Sequence, residues 1–189
     1  MKNKDDIKHI NTPLARATAR QLKAGDMISI NGIIYAARDA AHKKMMNMLD
    51  EGKSLPFDVN EQIIYYVGPC PARPGEVIGS AGPTTSSRMD AYAPRLIEQG
   101  LTGMIGKGLR NDEVINAIRK HGAVYFGATG GAGALIAKSV ICEEIIAFPE
   151  LGPEAIRKLT VKDFIVTVII DSYGNNLYVT GRERFNVPF

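Results

Sequence analysis

From Thr102 onward the chain repeats one two-part pattern. "TGMIGKG" and "AVYFG" are short apolar runs edged by glycine, and "NDEVINAIRKHG" and "GGAGALIAKS" are the helical segments that follow them. Runs of four or five apolar residues suit buried strands, and Asn111 is an N-cap whose side chain satisfies a free backbone N–H of the first turn. Strand, helix, strand, helix in this order calls for parallel strands, because a tight turn cannot join two parallel neighbours and a crossover helix can. That topology fixes where function sits, since α/β sheets gather their ligands at the carboxyl ends of the strands.

The remaining segments extend the pattern. "ATARQLKAGD" reads as a short helix stopped by Gly25, and "MISI-NG-IIYA" as two strands of a β-hairpin turning at Asn31-Gly32. "RDAAHKKMMNMLDEG" places Ala40, Met45, Met48 and Leu49 at helical spacing and ends on Gly52, a C′ cap. "QIIYYVG" and "GEVIGSAG" read as strands around the proline-rich loop "PCPARPG", and Met89, Tyr92, Ala93, Leu96 and Ile97 form a helical stripe closed by Gly100. "FIVTVIIDSYGNNLYVTG" reads as a long strand, a turn and a returning strand. No repeat or linker divides the chain. The expected fold is therefore a mixed α/β domain over 1–189, its sheet partly antiparallel at the ends, with 1–11 a flexible lead-in.

A net charge of +3 spread over 189 residues, with no basic run interleaved with aromatics, argues against nucleic acid. The charged N-terminus lacks a secretory apolar region and no apolar run approaches ~18 residues, so no membrane segment is expected and the location is read as cytoplasmic. Cys70 and Cys142 lie far apart with no C-x-x-C spacing, so no disulfide or metal site is expected of them; they read as small buried apolar residues.

The polar motifs are more informative. Two glycine-rich stretches approach phosphate loops and fail. "GLTGMIGKG" has Gly108 where a P-loop needs Ser or Thr, and "GATGGAGAL" puts Ile136 where a dinucleotide loop needs its third glycine. "AGPTTSSRMDAY" differs, because Thr84 to Ser87 precede the helical stripe, gathering hydroxyls and free N–H groups at a positive helix end, and Arg88 adds a fork that suits a carboxylate. The alternative is that Ser86 or Ser87 merely caps a helix while Arg88 lies in solvent. Arg38 and His42, four residues apart with Asp39 beside them, form a second group, which can equally be ordinary helix surface. Lys107, between two glycines at a strand's carboxyl end, is a third.

Taken together, "YAARDAAHKK", "GPTTSSRMDAY", "IGKG", "VYFGATGGAGAL" and "ELGPEAI" followed by "VKDFIVTVIIDSYGNNLY" resemble the iron-sulfur class I fumarases and related tartrate dehydratases, in the part forming their β subunit or C-terminal domain. The resemblance runs from "TPL" at residue 12 to the last strand. It implies a swivelling β/β/α domain and a hydro-lyase that interconverts malate and fumarate, and the R-M-D-A-Y and F-G-A-T-G-G stretches look like the fumarase branch. Tartrate dehydration and a non-catalytic dicarboxylate-binding or assembly module are the alternatives. It also implies a 4Fe-4S cluster held by an α subunit rather than by this chain, with a homodimer possible when the chain is isolated. Carried over residue by residue, Arg38 and Arg88 resemble carboxylate clamps, Lys107 a further charge partner for substrate, Thr84 a proton-handling residue and His42 a catalytic position. One departure is Ile165, where the family's motif has proline.

Overall fold

The computed structural model of the chain describes residues 7–185. Seven strands and six α-helices follow one another along them: β1 (Ile7–Asn11), α1 (Arg16–Ala19), β2 (Met27–Ala36), α2 (Asp39–Asp50), β3 (Ile63–Tyr65), α3 (Ala93–Glu98), β4 (Gly103–Gly106), α4 (Asp112–His121), β5 (Val124–Gly127), α5 (Gly133–Ala137), β6 (Val140–Ala147), β7 (Ile156–Ile170) and α6 (Leu177–Phe185). Short 3₁₀ turns lie at Ser86–Met89 and Pro149–Glu154.

The expected parallel unit is present: β2, β3, β4 and β5 run side by side in parallel, with Ile64 opposite Met104 and Ile105 opposite Phe126. The long β7 runs antiparallel to β5, β2 and β6. Because β7 bonds to both β2 and β5, the five strands β2, β3, β4, β5 and β7 close on themselves, and β1 and β6 extend the sheet outside that ring. The mixed α/β class is as expected, and closure gives it a partly barrel-like form.

Period-two alternation sorts each strand between two cores. Ile63, Tyr65, Ile105, Val124 and Phe126 join Ile28, Ile30, Ile34, Leu159 and Phe164 within the ring. Their neighbours Ile64, Tyr66, Met104 and Tyr125 face outward and pack with Met45, Leu96, Ile97, Val114 and Ile118 of the helices. On α4 the Asn111 side chain accepts the Val114 N–H at 3.0 Å, as its sequence predicts.

Several expectations are corrected. Asn31-Gly32 is not a hairpin: β2 continues through it, and the register against β7 slips between Ile30 and Gly32. Gly32 takes φ +110 beside Thr12, while the Asn31 side chain accepts the Asp163 N–H, so the pair makes a bulge that bends one strand. "GEVIGSAG" is a loop, folded back so that the Cys70 N–H bonds to the Ser80 carbonyl. The helical stripe is cut in two because Pro94 starts a fresh helix at α3, leaving Ser86–Met89 as a separate 3₁₀ turn. The returning strand is α6, whose start is fixed by Asn176 accepting the Tyr178 N–H. Residues 7–11, expected to be part of a lead-in, form β1 paired with β2; residues 1–6 lie outside the described ones. Strand β6 had no sequence expectation. Both cysteines are exposed, contrary to the buried reading.

Candidate functional site

The carboxyl ends of the parallel strands supply the site. Arg38 follows β2 as the residue before α2, and Lys107 follows β4 directly. The loop carrying Thr84 is stitched between β3 and β4: the Thr84 N–H donates to the Tyr66 carbonyl (2.7 Å), the Lys107 N–H to the Thr84 carbonyl (3.3 Å), and the Ser86 N–H to the Lys107 carbonyl (2.8 Å). Two glycines make these approaches possible. A Cβ on Gly68 would come within 2.9 Å of Arg38 Cδ, and one on Gly106 would overlap Ser86 Oγ. Past β5, Gly130 lies beside the Lys107 side chain.

Carboxylates tie the cations together. Arg88 Nη2 donates to Asp39 Oδ2 at 2.7 Å, and Asp39 Oδ1 is 3.6 Å from Arg38 Nη2. Arg38 Nη2 also pairs with Glu154 Oε1 at 3.2 Å, and Glu154 Oε2 accepts the Ala40 N–H at 3.1 Å. Burial pushes the Asp39 carboxyl up, but its own backbone N–H and the hydrogen bond and charge of Arg88, aided by Arg38, outweigh it and hold Asp39 below the usual carboxylate value. Arg38 keeps a buried Nε–H with no partner among the described residues. Among those residues no carboxylate pairs with Lys107, which is exposed. A mostly buried arginine fork, a half-exposed one, an ammonium without a carboxylate partner and a half-buried threonine thus share one rim, a set that favours anionic groups.

Beneath the rim lies a polar layer. Tyr125 Oη donates to the Gly108 carbonyl at 2.9 Å, which uses its one proton, so the buried Ser86 hydroxyl donates to Tyr125 Oη at 2.9 Å. Arg110 is fully enclosed, bonded through Nε to Asp90 at 2.6 Å and lying over the Tyr66 and Tyr125 rings at 5.4 and 5.0 Å. Asp90 in turn accepts the Asn111 N–H at 2.8 Å, so the start of α4 and the Lys107 turn are braced by one ion pair. Burial works against the Arg110 charge, but the charge and hydrogen bond of the Asp90 carboxylate hold the guanidinium ionised. The same enclosure pushes the Tyr66 phenol up.

Of the sequence candidates, Arg38, Thr84, Arg88 and Lys107 are brought to this rim by adjoining strand ends. His42 is not at the rim surface. Its ring is completely buried, with Nδ1–H donating to the Arg38 carbonyl at 2.8 Å and the ring against Tyr66 and Tyr92. Burial chiefly, with the Arg110 charge, lowers its pKa to about 4 against the support of the Arg38 carbonyl and Asp39, so the ring is neutral. Ser86 is committed below the site, which excludes it from both the capping and the ligand readings. Glu154, Tyr125 and Arg110 were not anticipated; each acts across long sequence separations that no local pattern announces. Two open grooves, one of about 520 Å³ along Cys70, Val77 and Lys138 and one of about 640 Å³ along Leu135, Ile141 and Ile165, include none of the rim residues.

Cys70 lies in the loop after β3 and Cys142 on β6, and among the described residues no three His, Cys, Asp or Glu side chains gather as a metal-ligand set. Among the described residues, the two cysteines and their surroundings do not supply the ligand set of an iron-sulfur cluster. No helix among the described residues is long and apolar enough to cross a membrane.

The family model described as "Fumarase C-terminus" matches residues 1–181. The chain is 39% identical over 173 residues to an aerobic class I fumarate hydratase of Escherichia coli, covering 89% of this chain and 32% of that enzyme. Against fumarate hydratase 2 of Leishmania major it is 39% identical over 165 residues, 86% of this chain and 29% of the other. A Methanocaldococcus jannaschii protein provisionally named L(+)-tartrate dehydratase subunit beta is 40% identical over 171 residues, covering 87% of this chain and 88% of that one. The chain therefore spans about a third of the fumarate hydratases it matches and nearly all of the separate subunit.

Proposed function

The chain belongs to the fumarase C-terminus family, and from that premise we propose that it is the β subunit of an iron-sulfur hydro-lyase that interconverts (S)-malate and fumarate together with a cluster-bearing α subunit. The observation that carries this reading is the convergence of Arg38, Arg88, Lys107 and Thr84 on one rim of the sheet, with the two forks joined through Asp39. A dicarboxylate loses hydration at both ends when a site closes over it, and fixed cations offset that cost. Arg38 brings a mostly buried fork, Arg88 a half-exposed one, and Lys107 a third positive charge. The reaction removes a proton from carbon 3 and releases the hydroxyl of carbon 2 as water. Thr84 is the group assigned to the carbon 3 proton. A hydroxyl is a weak base, so it acts with an acceptor, which this reading assigns to the α subunit.

In this assignment His42 is a positioning group, not a proton-transfer group. Its buried Nδ1–H holds the Arg38 carbonyl where β2 passes into α2. The 4Fe-4S cluster would be held by the α subunit and would supply Lewis-acid chemistry there. Domain swivelling on the partner, absence of turnover by the isolated chain and a cytoplasmic location are parts of the same proposal.

Tartrate dehydration is the second reading, favoured by the match in length to the archaeal subunit. Mixing the chain anaerobically with its cluster-bearing partner and assaying malate, fumarate and tartrate separates the two; a complex inert to all three refutes both. In the active complex, Arg88→Ala is expected to lower kcat/KM by about a hundredfold or more while assembly persists. Unchanged activity would favour a non-catalytic module.

A further inference from the structure

The two arginine forks of the rim are anchored unequally. Arg38 has three supports: Glu154, itself fixed by the Ala40 N–H; the close backbone of Gly68; and its own carbonyl held by His42. Arg88 sits on a single 3₁₀ turn, its side chain 48% exposed, and among the described residues its fork bonds to Asp39 alone. An arginine so placed has several rotatable bonds to freeze before it can bind in a fork, which opposes binding unless something holds it beforehand. Asp39 is suited to absorb that cost in advance. It lies in the first turn of α2, where a negative charge is favoured, and its carboxyl is ionised. It also stands between the two forks, one oxygen toward each.

We propose that Asp39 is a positioning residue for the dicarboxylate: it holds Arg88 at a fixed separation from Arg38, so that both forks meet one ligand without reorganising. The proposal deepens the hydro-lyase reading and rests on it for the ligand. Asp39 makes no contact with substrate and acts through Arg88. The opposite role is also chemically available, that of a resident counter-ion which the ligand must displace, and the two roles predict opposite signs.

The test is a double-mutant cycle in the assembled complex, with Asp39→Asn, Arg88→Ala and the pair, read both as kcat/KM and as the calorimetric Kd for fumarate. Asp39→Asn is nearly isosteric, and Asp39→Glu serves as a second variant that keeps the charge but lengthens its reach. Positioning predicts that Asp39→Asn lowers kcat/KM about tenfold and weakens fumarate binding, that Asp39→Glu does not restore the loss, and that Asp39→Asn costs less than about threefold once Arg88 is Ala. Equal costs in both backgrounds overturn the proposal, because they mark a general structural role. Tighter binding with undiminished turnover overturns it in favour of the counter-ion. If the parent complex binds fumarate with this coupling but hydrates nothing, the hydro-lyase reading falls and the role of Asp39 stands. If the parent complex turns over without the coupling, the reverse holds, and a complex that neither binds nor turns over overturns both.

Discussion

At the scale of single residues, the site depends on side chains that never reach solvent. His42 is the sharpest case, because its neutral ring is enclosed and its folded pKa lies near 4 against 6.5 for a free imidazole. The unfolded chain takes up a proton as pH falls below about 6.5, whereas the folded chain resists until about 4. Stability is thus full above the upper value and is lost as pH falls toward the lower one, by about 3 kcal/mol for this group. Denaturant titrations at about pH 7, 5.5 and 4.5 are expected to show this slope, and His42→Gln is expected to flatten it after an initial loss from the imperfect fit. An unaltered slope in the variant would place the acid sensitivity elsewhere. The local motif gave His42 its helix and its distance from Arg38, but not its depth. Burial came from Tyr66 and Tyr92, residues on other segments. Arg38, Arg88, Thr84 and Lys107 could be singled out because each stands at a turn or strand end, where α/β sheets gather their ligands, while the roles expected of them came from the resemblance. Glu154 was not, since a glutamate in a loop has no periodicity to betray that it reaches back to Arg38.

At the scale of elements, the parallel core from β3 to β5 followed directly from runs and caps, while the strands and turns around it depended on contacts between distant segments. Asn31-Gly32 shows why. The same dipeptide serves a hairpin or a bulge, and the choice is made by Thr12 on one side and Asp163 on the other. The bulge bends β2, which bonds to β7 along its length, to β1 over its first half and to β3 at its carboxyl end. Gly32→Ala meets both a positive φ and the Thr12 side chain, and is expected to destabilise by about 1–3 kcal/mol in chemical denaturation. A change within experimental error would mean that β2 tolerates a Cβ there by shifting register. The split of the 89–97 stripe has a comparable origin. Its apolar spacing is continuous, but Pro94 has no N–H to donate and so opens α3 rather than extending the turn before it. That break leaves Ser86–Met89 free to tuck Ser86 under Gly106 and to turn Arg88 toward Asp39.

At the scale of the whole molecule, β7 staples the sheet. It is paired with β2 over most of its length, with β6 near its start and with β5 near its end, so displacing β7 requires breaking three ladders together. The rim loops, by contrast, hang from strand ends by a few backbone bonds and ion pairs. Amide hydrogen exchange should therefore be slowest in β7 and in the central part of β2, and fast in the proline-rich loop after β3, whose residues from Cys70 to Val77 are largely exposed. Adding fumarate to the assembled complex is expected to slow exchange at the loops following β2, β3 and β4, around Ala40, Thr84 to Ser86 and Lys107, and to leave the opposite ends of those strands unchanged. Those are the amides whose partners are fixed by, or adjacent to, the two forks and the ammonium. Protection appearing instead along β6 or in the Leu135 and Ile165 groove would move the ligand off the strand ends, and with it the premise that the parallel core exists to present Arg38, Arg88 and Lys107 together.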